Sequence, residues 1–210
     1  MSNGKRYLPT IAAILLALAG TRAVAEPLRT VYDAPRNRVW VLESDAIYLH
    51  EGAHKKRFEL PGWIYATEPY ACSPDLAVDA QGAAVVTSNI APVVWRIEPA
   101  KLQVTKHELT LDADADKDVG FSGLAYAPDQ GVFFAVSGVY GSLWRIDPLL
   151  RRAQKIPVST PLRDACALAV ERTRTRRTVV LCAQGSSVHL APDQRSGYVF
   201  ARRCAQESSL

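Results

Sequence analysis

The chain has 210 residues, 48% apolar and 22% charged, with 25 Lys and Arg against 21 Asp and Glu. That balance belongs to an ordinary globular chain and excludes a disordered or fibrous one. The formal charge of +4 suggests an anionic partner only until the cations are placed, because Lys5, Arg6 and Arg22 all stand in an N-terminal stretch without acids.

Residues 1–25 read as a secretory signal peptide. Lys5 and Arg6 give the positive start, Ile11 to Leu18 the short apolar run, and Ala23-Val24-Ala25 the small-residue cleavage pattern before Glu26. The apolar run is far shorter than the ~20 residues that span a bilayer, and no second hydrophobic segment follows, so no membrane span is expected. Removing three cations from +4 leaves a mature chain, residues 26–210, near +1. With that, the case for a nucleic-acid partner disappears. The expected location is periplasmic or secreted.

The mature chain begins with "TVYDAPRNRVWVLESDAIYLHEGAHKKRFEL", Thr30 to Leu60, which alternates short apolar runs with turn residues. A second unit, Asp75 to Leu109, carries "PVVWRIEP". A third, Gly123 to Val158, carries "GSLWRIDP", and a weaker fourth runs from Ala167 to Arg203. The period is about 45 residues, in the range where a repeat means a propeller or a solenoid. In the third unit, Leu124 to Tyr126 reads as a first strand and Pro128 to Gly131 as a turn. Val132 to Val136 reads as a second strand and Leu143 to Ile146 as a third, stopped by Asp147-Pro148, with a fourth around Lys155 to Val158. Four short antiparallel strands per unit predict an all-β fold, a single β-propeller-like domain of about four four-stranded blades. Alternation puts Trp144 and Ile146 on one face and Leu143 and Arg145 on the other. The repeated tryptophans Trp95 and Trp144 are therefore read as inter-blade packing, and Arg96 and Arg145 as pairing with acids or reaching the rim.

The phrase "SGLAYAPDQGVFFAVSGVYGSLWRIDP" resembles the blades of NHL-type, YncE-like and SMP-30/gluconolactonase-like propellers. The resemblance implies the fold and leaves function open. Those families have six or seven blades. Four blades here imply either a closed disk or an open arc completed by a second copy, a homodimer. The metal set of the SMP-30-like lactonases does not map onto this sequence residue by residue.

Four cysteines, Cys72, Cys166, Cys182 and Cys204, imply two disulfides in an exported chain. "CALAVERTRTRRTVVLC" reads as a hairpin symmetric about Arg174 that sets Cys166 opposite Cys182, within the ~5.5 Å a bridge tolerates. That pairing leaves Cys72 with Cys204. The competing pairing is Cys72 with Cys166, both just before first strands.

In a propeller, the loops entering the first strands crowd one mouth of the channel. Tyr70, Asp75 and Asp164 on those loops, with Asn89 and Tyr140 on the second-to-third strand loops beside them, are the candidate ligand-binding residues. "LDADADKDVGFSG" alternates Asp112, Asp114, Asp116 and Asp118, carboxylates suited to calcium. It departs from an EF-hand loop at Lys117 and Gly123, and the plain alternative is a solvated acidic loop. The basic runs Arg172 to Arg177 and His54 to Arg57 read as soluble hairpin tips. His50, His54, His107 and His189 form no H-E-x-x-H, and no G-x-S-x-G is present. The function expected is an exported binding module for a protein or small ligand. The alternative is a metal-dependent, lactonase-like hydrolase acting at the channel mouth.

Overall fold

The computed structural model describes residues 26–66, 72–113, 119–171, 180–183, 186–190 and 197–200. The expected signal peptide, residues 1–25, lies outside them.

The described strands form four antiparallel sheets of four strands each, with one short extra strand on the third. Blade 1 comprises β1 (Arg29–Asp33), β2 (Arg38–Leu42), β3 (Ile47–Glu51) and β4 (His54–Phe58). Blade 2 comprises β5 (Leu76–Val78), β6 (Ala84–Thr87), β7 (Val93–Glu98) and β8 (Gln103–Glu108). The short β9 (Thr110–Leu111) then runs parallel to the outer strand of blade 3. Blade 3 comprises β10 (Gly123–Ala127), β11 (Val132–Ser137), β12 (Ser142–Ile146) and β13 (Arg152–Ile156). Blade 4 comprises β14 (Leu168–Glu171), β15 (Val180–Ala183), β16 (Ser186–Leu190) and β17 (Gly197–Phe200). The outer strand of blade 3 starts at Arg152, earlier than the sequence reading placed it, because the turn before it is tight. The Asp147 carboxylate accepts from the Leu149 and Arg151 N–H groups at 2.8 and 3.0 Å, with Leu150 at φ 55°.

Innermost strands meet in order, β1 with β5, β5 with β10, and β10 with β14. Strict alternation then sends each strand's two faces to two different neighbours. Trp40, Leu42, Ile47 and Leu49 of blade 1 pack against Val86, Trp95 and Ile97 of blade 2. Val85 and Val94, the other face of blade 2, pack against Phe133, Trp144 and Ile146 of blade 3. Phe134, Val136 and Leu143 turn the opposite way, toward Leu168, Val188 and Leu190 of blade 4. Trp95 and Trp144 are both 0% exposed and fill equivalent gaps, as the repeat implies.

Among the described residues, three apolar clusters join the four blades, each between sequential neighbours. On the outward face of blade 1, Tyr48 occupies the position of Trp95 and Trp144: it stands opposite Val41 and Arg57, as Trp95 stands opposite Val86 and Lys106. Its hydroxyl donates to Asp45 at 3.2 Å, and the Lys55 ammonium lies 3.8 Å from its ring centroid. Lys55 also pairs with Glu43, and Arg57 with Asp45. A polar, self-paired outer face is what a terminal repeat needs to meet water.

Candidate functional site at the channel mouth

The loops entering β5, β10 and β14 converge with the β2–β3, β6–β7 and β11–β12 connections at one end of the strands. Two of the residues expected there are structural clamps. Asp75 is 1% exposed and joins three blades. Its carboxylate pairs with Arg29 Nε of blade 1 at 2.9 Å and accepts the N–H of Leu76 at 2.8 Å and of Leu124, in blade 3, at 2.7 Å. Burial pushes its pKa up to about 6, against the opposing pull of Arg29 and those two N–H groups. The neighbouring Thr87 hydroxyl donates to the Phe121 carbonyl at 2.8 Å, a second stitch between blades 2 and 3.

Asn89 is 4% exposed. Its Oδ1 accepts from Ala66 N at 3.0 Å, and its Nδ2 donates to the carbonyls of Ala66 at 2.6 Å and Cys72 at 2.9 Å. It thereby holds both described ends of the loop between blades 1 and 2. A Cβ at Gly120 would overlap the Asn89 backbone, so only glycine lets the next loop pass over it.

The disulfide joins Cys72 to Cys166, with their Cα atoms 4.8 Å apart. This corrects the expected Cys166–Cys182 and Cys72–Cys204 pairings and establishes the competing one. The reason is register. In the β14–β15 hairpin Cys182 stands opposite Ala169, and Cys166 lies before the strand begins, on the mouth side. Cys204 lies outside the described residues. The bridge crosses the mouth of blade 3 from the loop before blade 2 to the loop before blade 4. A Cβ at Gly138 would lie 3.4 Å from the Cys72 sulfur, so the β11–β12 turn passes beneath the bridge.

Of the other expected ligand-binding residues, Tyr140 is 47% exposed at the tip of the β11–β12 turn, beside Val139, which is 50% exposed. Asp164 is exposed, with φ 60°, and its N–H donates to the Gly138 carbonyl at 2.9 Å. Tyr70 lies outside the described residues.

The sequence reading missed the segment Pro61 to Ala66. Trp63 and Tyr65 stack with ring centroids 4.5 Å apart. Trp63 Nε1 donates to the Thr87 carbonyl at 3.1 Å, and the Tyr65 hydroxyl donates to the Ser44 carbonyl at 3.3 Å. The Ser88 hydroxyl donates to the Ile64 carbonyl at 2.7 Å. With the backbone held on both sides, Ile64 is presented 50% exposed. Three successive large apolar residues, "WIY", in a segment between strands were the available signal.

Asp112 sits away from the mouth, just after β9 at the outer edge of blade 3, where its Oδ1 accepts from Lys155 N at 2.8 Å. Asp114, Asp116 and Asp118 lie outside the described residues, as does the basic run Arg172 to Arg177. Among the described residues no cluster of acids, His and Cys is arranged to hold a metal, and no helix is long and apolar enough to cross a membrane.

No protein-family model matches the sequence, and no curated protein matches it. Solved structures do. Virginiamycin B lyase from Staphylococcus aureus superposes with a TM-score of 0.60 at 14% identity, over 85% of this chain and 56% of the lyase. A chain of a nidogen/laminin complex matches with a TM-score of 0.54 at 11% identity, over 82% of this chain and 62% of that one. YCF48 bound to D1 peptide matches with a TM-score of 0.50 at 13% identity, over 78% of this chain and 49% of that one. These neighbours are β-propellers, and the fold of the present chain is a β-propeller arrangement. The chain spans less than two thirds of the length of each of these three. Propellers of this kind include binding modules and enzymes.

Proposed function

We propose that the chain is exported, loses residues 1–25, and acts as a binding module that recognises a protein or small ligand at the channel mouth. The observation that carries this reading is the Trp63–Ile64–Tyr65 segment. Its backbone and both ring edges are tied down, so Ile64 is offered to a partner at little further ordering cost. Tyr140 and Val139 add aromatic and apolar area on the same end of the strands, the residue types that anchor interfaces. Two neighbours carry names that describe protein or peptide complexes, nidogen with laminin and YCF48 with the D1 peptide, which favours recognition as the use of this fold here. The Cys72–Cys166 bridge supports export, since such bonds persist in oxidising compartments.

The test is site-specific photo-crosslinking in the exporting cell. A photoreactive residue at position 64 or 140 is compared with one at Leu102, a 69% exposed side chain on the opposite end of the strands. A discrete adduct from positions 64 and 140, absent from 102, on a mature chain beginning at Glu26 is expected. Equal labelling from all three positions, or labelling from 102 alone, overturns the mouth as the recognition surface.

A further inference from the structure

At the end of the strands opposite the mouth, the rims of blades 1 and 2 enclose a cleft of about 540 Å³. Its cationic lining consists of Arg36, Arg38, Lys56, Arg96 and Lys101. The floor is built with care. Arg36 Nη2 donates to the Ala80 carbonyl and Arg38 Nη2 to the Gly82 carbonyl, both at 2.6 Å. Gly82 has φ 82°, and a Cβ there would collide with both guanidiniums, so glycine is required for the two arginines to lie against the turn. Buried Asp33 holds them from below, at 3.1 Å from Arg36 and 2.8 Å from Arg38, and buried Asp79 holds Arg96 at 2.6 Å.

Among the described residues, the acids lining the cleft are Glu51 and Glu98. Glu51 is shared by Lys56 at 3.1 Å and Arg38 at 3.3 Å, and Glu98 by Lys101 at 2.6 Å and Arg96 at 3.4 Å. The hydrogen bonds from Lys56 and Lys101 hold these two carboxyls below their ordinary pKa, so both are ionised at neutral pH. Five cations therefore share four carboxylates, and donors are left over. Arg96 directs Nε to Glu98 and Nη2 to Asp79. Each lysine ammonium has three N–H donors and pairs with one carboxylate.

Blade 3 writes "RIDP", and Asp147 is consumed in capping its own turn. Blade 2 writes "RIEP", and Glu98, one methylene longer, extends its carboxylate into the cleft instead. Glu51 and Glu98 are 37% and 32% exposed, so they stand at the opening, where an incoming anion would take their place.

We propose that this cleft binds a small multivalent oxyanion, a molecule bearing two or more carboxylate or phosphoryl groups, on Arg96, Lys56 and Lys101 above the Arg36–Arg38 floor. Planar guanidiniums supply paired N–H donors and the two ammoniums supply mobile point charges, a combination suited to either group. The site is at the other end of the strands from the mouth and does not depend on the function proposed there.

The test is titration calorimetry of the full mature chain at low ionic strength, with citrate in one arm and inorganic pyrophosphate in the other. Sodium chloride matched for ionic strength is the control. Saturable binding of one or both is expected; citrate alone assigns carboxylate ligands and pyrophosphate alone assigns phosphoryl ligands. Lys56→Gln with Lys101→Gln should weaken binding at least tenfold. Their ammonium-bearing side chains are 46% and 67% exposed, so the fold should survive, which a melting curve checks. Glu51→Gln with Glu98→Gln should tighten binding at least threefold, because the competing carboxylates are gone. A purely structural ion-pair network makes no such prediction of opposite sign. No saturation by either anion in the wild type and in Glu51→Gln with Glu98→Gln, or affinity indifferent to Lys56→Gln with Lys101→Gln, overturns the proposal.

Discussion

Replacing Asp75 by Asn should abolish one specific part of the protein's pH dependence. Asp75 is buried, and its folded pKa of about 6 lies above the ordinary value of 3.8. A raised folded pKa means that the folded state binds the proton more tightly than the unfolded one. The stabilisation is then fully present below the unfolded pKa and lost as pH rises through the folded value. Between pH 7 and pH 5 the protonating carboxyl should add about 1 kcal/mol, worked from those two values with ~1.4 kcal/mol per pKa unit. For a chain of this size that is a rise of roughly 2–4 °C in Tm. His107 opposes it: burial lowers the imidazole pKa, so its contribution rises with pH over part of the same range. The quantity to read is therefore the difference in Tm between wild type and D75N at each pH, by calorimetry. Asn keeps one acceptor for the Leu124 or Leu76 N–H but cannot titrate or pair with Arg29. The difference should shift in favour of the wild type by roughly 2–4 °C from pH 7 to pH 5. A flat difference would show that Asp75 is already ionised at pH 5, with the Arg29 pair outweighing burial, and would refute the reasoning.

Trp144→Ala and Trp95→Ala should each cost about 3–5 kcal/mol in urea denaturation, from loss of a fully buried indole at a blade interface. Tyr48→Ala, at the matching position on the outward face of blade 1, should cost below about 1 kcal/mol; equal costs would mean that another blade or copy covers that face. Non-reducing peptide mapping should find Cys72 linked to Cys166, leaving Cys182 for Cys204, and Cys72→Ser with Cys166→Ser should lower stability by about 2–4 kcal/mol, since the bridge closes a loop across a sequence separation of 94. A map with Cys166–Cys182 would restore the hairpin pairing. Asn89→Ala strips partners from Ala66 and Cys72, and should cost about 1–3 kcal/mol while exposing the chain between them to limited proteolysis; unchanged cleavage would show that the loop is held by other means.

The repeating unit was legible along the chain. Strands such as Val132–Ser137, turns such as Asp147-Pro148, and the two-faced alternation that buries Trp144 while sending Leu143 to the other neighbour are all local. They follow from side-chain period and backbone chemistry within a few residues, and the echo of "WRIEP" in "WRIDP" made them legible twice. Tertiary structure decided everything that joins one repeat to another. Asp75 is one residue before an ordinary first strand, and only the stacking of β1, β5 and β10 turns it into a clamp on Arg29 and Leu124. Cys166 finds Cys72 rather than its hairpin partner because the register sets Cys182 opposite Ala169. Arg36 and Arg38 meet Gly82 and stand beside Arg96, although no local pattern links these positions. Contacts between blades depend on how far each sheet is turned relative to the last. That rotation is set by the packing of whole faces, and no single stretch of the chain encodes it.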